Sequence, residues 1–152
     1  MKLAEALQER ADIQKKISEL CSRIIDNIHV QEGERTNEDP NAMLEELIAR
    51  KERLEVLICQ INKSNNVLKI EGKTLTEVIA KKEKLEHLTK KYREIINDAA
   101  LPSHRIRCTE VKFLTTVNVK ELRKQSETVA KELRIIDNKL QKANWTYDLI
   151  ED

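Results

Sequence analysis

Glycine and proline are nearly absent from this chain, with two of each in 152 residues. A phosphate-cradling loop or a dinucleotide fingerprint needs several glycines close together, so both are excluded. One Trp, two Tyr and one Phe leave the core to Leu, Ile and Val, and leave single-stranded nucleic acid without a stacking platform. No apolar run approaches the ~18 residues of a membrane span. Glu5 and Glu9 interrupt the start where a signal peptide needs an apolar stretch, so the expected location is the cytoplasm. Cys21, Cys59 and Cys108 are odd in number and far apart, which suits buried thiols rather than a disulfide framework or a zinc site. The 28 basic and 27 acidic side chains nearly cancel, so no field of one sign draws the whole molecule to nucleic acid or an anionic membrane.

What the chain does contain is helical periodicity, in a length that suits one domain over residues 1–152. Leu3, Leu7, Arg10, Gln14, Ile17, Cys21, Ile24 and Ile28 step by three and four along one helical face. A polar stretch from Val30 to Asp39, with Gly33, then predicts a loop, and Asp39-Pro40 predicts the cap and first position of a second helix. Leu44, Leu47, Lys51, Leu54, Ile58, Ile61 and Asn65 continue the pattern there. Thr74-Leu75-Thr76-Glu77 is a capping box opening a third helix, with Val78, Lys82, Leu85, Tyr92 and Ile96 on its face. Asn118 caps a fourth, whose face of Val119, Leu122, Ser126, Val129, Leu133, Ile136, Leu140 and Ala143 is the most regular heptad in the chain. The expected fold is therefore mainly α, an antiparallel bundle of four long helices. Arg105 to Val117 is β-branched and alternating, so a short β-ribbon or strand is expected between helices three and four, paired either with Val67–Glu71 or with a second subunit.

Antiparallel neighbours place residues level with one another. A symmetric turn between helices one and two puts Arg10 opposite Ile61 and Asn62, and the same geometry puts Lys82 level with Asp137. One polar layer would then gather Arg10, Gln14, Asn62, Asn65, Lys82, Glu83, Arg134 and Asp137, with an Arg10–Asp137 pair at its centre. Such a layer either fixes the register of the helices or forms a pocket in which Arg10 and Lys82 hold a small anion and Asn62 and Gln14 select its shape. The remaining candidates are weaker. His29, Gln31, Glu32 and Glu34 cluster at the first loop, where a solvated histidine at a helix end is the simpler account. Asp26-x-x-His29 is too little for a di-iron site, so no metal and no cofactor is expected. His104, Arg105, Arg107 and Lys112 form a modest basic strand, which gives weak nucleic-acid binding as an alternative function, although without aromatics nucleic acid is not the expected partner. The single Trp145 is expected to plug the end of the core.

Several stretches taken together carry a resemblance: Met1 to Leu7 with Arg10-Ala11-Asp12-Ile13-Gln14, Val30 to Glu34, Glu38-Asp39-Pro40, Ile61 to Asn65, Thr74-Leu75-Thr76 and Asn144-Trp145. They resemble a small family of bacterial helical proteins of uncharacterised function, some of whose members are labelled septicolysin. The resemblance implies a compact helical domain and leaves the activity open. The label implies membrane lysis, for which the sequence has neither an aromatic-rich amphipathic stretch nor an insertion hairpin. Arg10, Gln14, Asn62 and Asn65 fall in the family's motifs. Where the family pattern has Arg-Asp, this chain has Lys82-Glu83, which keeps the charges without the bidentate fork of arginine. With no catalytic motif, the expectation is a protein that acts through protein–protein contact, as a homo-oligomer, because such long amphipathic helices expose more apolar stripe than a thin bundle covers.

Overall fold

The structure, a computed structural model, describes residues 1–101 and 113–151. Four helices account for most of it: α1 (Leu3–Asp26), α2 (Pro40–Val67), α3 (Leu75–Ala99) and α4 (Val119–Thr146). The strands β1 (Lys69–Ile70) and β2 (Lys73–Thr74) form a two-stranded ribbon that joins α2 to α3. Glu71 and Gly72 make its two-residue turn, both with positive φ (51° and 84°), the backbone that matches the twist of a tight hairpin. The expected ribbon between helices three and four is thus displaced to the α2–α3 junction, because a two-residue turn closes Lys69–Ile70 onto its immediate neighbour. Residues 102–112, which include Cys108 and most of the expected strand, lie outside the described residues, and 113–117 contain no strand.

The helix ends follow local chemistry. Asp39 Oδ1 accepts from Asn41 N at 2.9 Å, ahead of Pro40 at the first position of α2. Thr74 and Glu77 bond reciprocally at 2.7 and 3.2 Å to open α3. Asn118 Oδ1 accepts from Glu121 N at 3.2 Å to open α4.

Contacts cluster into two compact units, Met1–Lys69 with Lys142–Asp152, and Ile70–Gln141. In the first, α1 and α2 pair antiparallel, and the C-terminal segment closes the hairpin through Leu3 N to Tyr147 O (3.0 Å) and Leu149 N to Met1 O (2.9 Å). Its core is Leu3, Ala6, Ile13, Ile17 and Leu20 of α1, Met43, Leu54, Leu57 and Ile61 of α2, with Ala143 and Leu149. In the second, Leu75, Val78 and Leu85 of α3 and Ile136 and Leu140 of α4 are buried.

Two expectations about the first unit are corrected. The buried edge of α1 runs through Leu3, Ala6, Ile13, Ile17 and Leu20, and that of α2 through Met43, Leu54, Leu57 and Ile61. Both are one residue out of phase with the stripes read from sequence, so Gln14 and Cys21 of the α1 stripe and Leu44 of the α2 stripe are exposed; Cys59 and Asn62, which lie off that stripe, are exposed too. The helix offers two overlapping apolar edges sharing Leu3, Arg10, Ile17 and Ile24, and packing selects the one with Ile13 and Leu20 because Gln14 would otherwise be desolvated. The register also differs. Arg53 Nε lies 2.7 Å from Glu9, and Arg23 forks onto Glu38, whose backbone amide donates to Asn27 Oδ1. The loop is therefore not symmetric: Glu38, just before the cap of α2, is drawn back beside the last turns of α1. Arg10 sits level with Lys51 and Glu52, roughly 16 Å along the helix from Asn62.

Candidate functional site

The residues expected around Arg10 divide between the two units, four in each. Within the first unit Arg10 is half-buried and has no ion pair among the described residues, Gln14 and Asn62 face solvent, and half-buried Asn65 lies toward the start of α1. In the second unit Lys82 and Asp137 do come together, with Nζ 2.7 Å from Oδ1, and Glu86 lies 3.6 Å from the same ammonium. Asp137 Oδ1 is sealed from solvent, so Lys82 supplies its counter-charge. That bond to Asp137 holds the Lys82 ammonium above its ordinary pKa. Its contribution to stability is therefore complete below about pH 10.5 and lost as pH rises through the higher folded value. Glu83 and Arg134 are exposed. Asp137, expected as the partner of Arg10, is instead the partner of Lys82.

The first-loop residues His29, Gln31, Glu32 and Glu34 are all exposed, and Glu34 N bonds Gln31 O at 3.0 Å in a turn. Among the described residues, no group of three or more His, Cys, Asp or Glu side chains is placed to hold a metal ion. The basic stretch from His104 to Lys112 lies outside the described residues.

A concave surface does exist, where sequence reading did not place one. Met1, Ala4, Ile13 and Trp145 form the apolar wall of an open groove of about 680 Å³ in the first unit, rimmed by Glu5, Glu9, Asp12, Lys16 and Arg50. Trp145 is 63% exposed and frames this groove instead of plugging the core. The reason is helical phase: α4 buries Ile136, Leu140 and Ala143, and Trp145, two residues on, points some 200° away from Ala143. The plug is Leu149, carried back by the C-terminal segment.

The rim's charges are already engaged. Glu5 accepts from Lys2 N at 2.7 Å, Asp12 from Gln8 at 3.1 Å, and Glu9 from Arg53; Lys16 pairs with Glu19 and Arg50 with Glu46. The free chemistry of the groove is thus its apolar wall, which suits an apolar side chain of a protein better than a charged metabolite. The Arg53 hydrogen bond holds the Glu9 carboxyl below its usual 4.5, although partial burial opposes this. A lowered carboxylate pKa stabilises the fold fully above the unfolded value and loses that contribution as pH falls through the folded one. Arg53→Met is expected to flatten part of the acid limb of stability below about pH 4.5, by no more than ~1 kcal/mol for so exposed a pair. Urea midpoints taken from pH 6 to about 3 for both proteins measure it.

A protein-family model described as a family of unknown function (DUF6847) matches residues 10–149, spanning all but the first turns of α1 and the chain end. Among solved structures, the crystal structure of a functionally unknown conserved protein from Corynebacterium diphtheriae is similar, with 32% sequence identity, 99% of each chain covered and a TM-score of 0.92. No curated protein matches the chain. Neither similarity carries the septicolysin label. Among the described residues, no helix is long and apolar enough to cross a membrane.

Proposed function

The chain belongs to the DUF6847 family, and from that premise we propose that it acts through protein–protein contact and self-associates through the outer edge of α2. The observation that carries this reading is that α2 is apolar on two sides. One side is buried against α1 through Met43, Leu54, Leu57 and Ile61, whereas Leu44, Ile48 and Val56 remain about half exposed (47%, 50% and 48%). A helix of a self-sufficient hairpin needs one apolar face, and a second one marks a surface to be covered by a partner. The Trp145 groove, with its neutralised rim, offers a second anchoring point of the same apolar character.

A small anionic ligand at Arg10 is less favoured, since Gln14 and Asn62 do not converge on it and the groove beside Trp145 is not lined by Arg10. Cytoplasmic action belongs to the reading as well, supported by the exposed free thiols Cys21 and Cys59 among the described residues, which a reducing compartment preserves. We treat the chain as one domain, because α4 runs unbroken through the boundary between the two compact units.

Light scattering over a concentration series tests the reading. Wild type is expected to exceed the 17.7 kDa mass of one chain, and Leu44→Asp with Ile48→Asp is expected to return it to that mass with its melting curve little changed. A wild type that stays at one chain's mass at high concentration overturns it.

A further inference from the structure

The near-neutral total conceals a division of charge. The first unit holds twelve Lys and Arg against sixteen Asp and Glu, a net of −4, and the second holds sixteen against eleven, a net of +5. The division is written into two exposed helix edges. On α2, Glu45, Ile48, Glu52 and Val56 lie along one edge at steps of three and four, with Leu44 one turn before Ile48, all exposed, so apolar residues alternate with acids. On α3, Lys84, Leu88, Lys91 and Ile95 follow the same spacing, also all exposed, so apolar residues alternate with bases. Among the described residues Glu45, Glu52 and Lys84 form no ion pair, and Lys91 meets only Glu94, at 2.7 Å.

Resting on the self-association reading above, we propose that the partner is a second copy of this chain, docked with its basic α3 edge against the acidic α2 edge of the first. Apolar residues in the seam with opposite charges beside them constitute the pattern by which paired helices choose partner and orientation. The edges are complementary to each other and not to themselves: α2 against α2 would oppose Glu45 and Glu52 with like charges, and α3 against α3 would do the same with Lys84 and Lys91. Every copy supplies one edge of each kind, so each can both offer and receive the contact.

The experiment exchanges the charges. Glu45→Lys with Glu52→Lys makes both edges basic, and Lys84→Glu with Lys91→Glu makes both acidic. Wild type is expected to associate more weakly as salt rises. Each variant alone is expected to associate at least roughly tenfold more weakly than wild type. An equimolar mixture of the two is expected to recover the assembly, because the exchanged edges match across copies. The readout is sedimentation equilibrium, with circular dichroism melts to show that each variant is folded. If a reversed protein does not fold, Lys84→Gln with Lys91→Gln takes its place and is expected to weaken association in the same direction.

If both variants associate as wild type does while Leu44→Asp with Ile48→Asp does not, the α2–α3 charge pairing is wrong and self-association stands. Weakened variants that do not recover on mixing also overturn the pairing. A wild type that is monomeric throughout removes both readings. Retention of a labelled single-stranded oligonucleotide at low salt by a monomeric wild type, lost in Lys84→Glu with Lys91→Glu, would assign the basic edge to nucleic acid instead.

Discussion

Leu57→Ala is expected to destabilise the protein by about 2–5 kcal/mol, whereas Leu44→Ala, thirteen positions earlier on the same helix, is expected to change stability by no more than ~0.5 kcal/mol. Leu57 is fully buried in the hairpin of α1 and α2, so truncation removes its transfer energy and leaves a cavity among Ile61, Leu54 and their neighbours on α1. Leu44 is half exposed, and its loss costs the folded monomer little. Urea unfolding of the two variants beside wild type, at concentrations low enough for each to be a single chain, reads the difference directly, because association would add to apparent stability. Comparable losses from both would mean that α2 buries the other of its two apolar edges, and the surface assigned to partner contact would then be core.

Ser64→Val carries the second large effect, about 1–3 kcal/mol. Ser64 is fully buried, donates to Gln60 O at 2.8 Å and accepts from Ile150 N at 2.9 Å. Valine has nearly the same shape but no acceptor, so the Ile150 amide would be left unpaired beside a buried position. The neighbouring Gln60 side chain donates to Glu151 O at 3.3 Å, and the N-terminal ammonium lies 3.8 Å from Glu151, so Ser64 is the buried member of a clasp on the C-terminal segment. Hydrogen exchange at Ile150 is expected to accelerate along with the drop in urea midpoint. An Ile150 amide as protected in Ser64→Val as in wild type would show that the segment is held by Leu149 and the Met1 and Leu3 backbone bonds alone.

Helices α3 and α4 were legible because the stripe that spacing selects on each is the one that is buried. Val78, Lys82 and Leu85 on α3 and Ile136, Leu140 and Ala143 on α4 fall on the side that sequence spacing selects, and Lys82 meets Asp137 at the height that an antiparallel pair requires. Periodicity was ambiguous on α1 and α2, where two apolar edges one residue apart share half their members. Only packing tells Ile13 from Gln14 as the inward residue, and that choice leaves Gln14 in solvent rather than beside Arg10's neighbours in the core. The Trp145 groove was hidden for a related reason: its wall brings Met1 and Ala4 together with a residue more than 140 positions away, and no local pattern records such a meeting.

The amino-acid order by itself determined what depends on neighbours along the chain: the four helices, their Asp39, Thr74 and Asn118 caps, a core left to Leu, Ile and Val by the shortage of aromatics, and the total charge of +1. Tertiary structure decided what depends on distant partners. It set the register of α1 on α2 through Arg23–Glu38 and Glu9–Arg53, chose which apolar edge of α2 is core and which is surface, and divided a neutral chain into an acidic and a basic unit. Helix propensity and capping act over about four residues and are written locally. The phase and register of one helix on another are set by side chains far apart in sequence that meet only once the chain has folded.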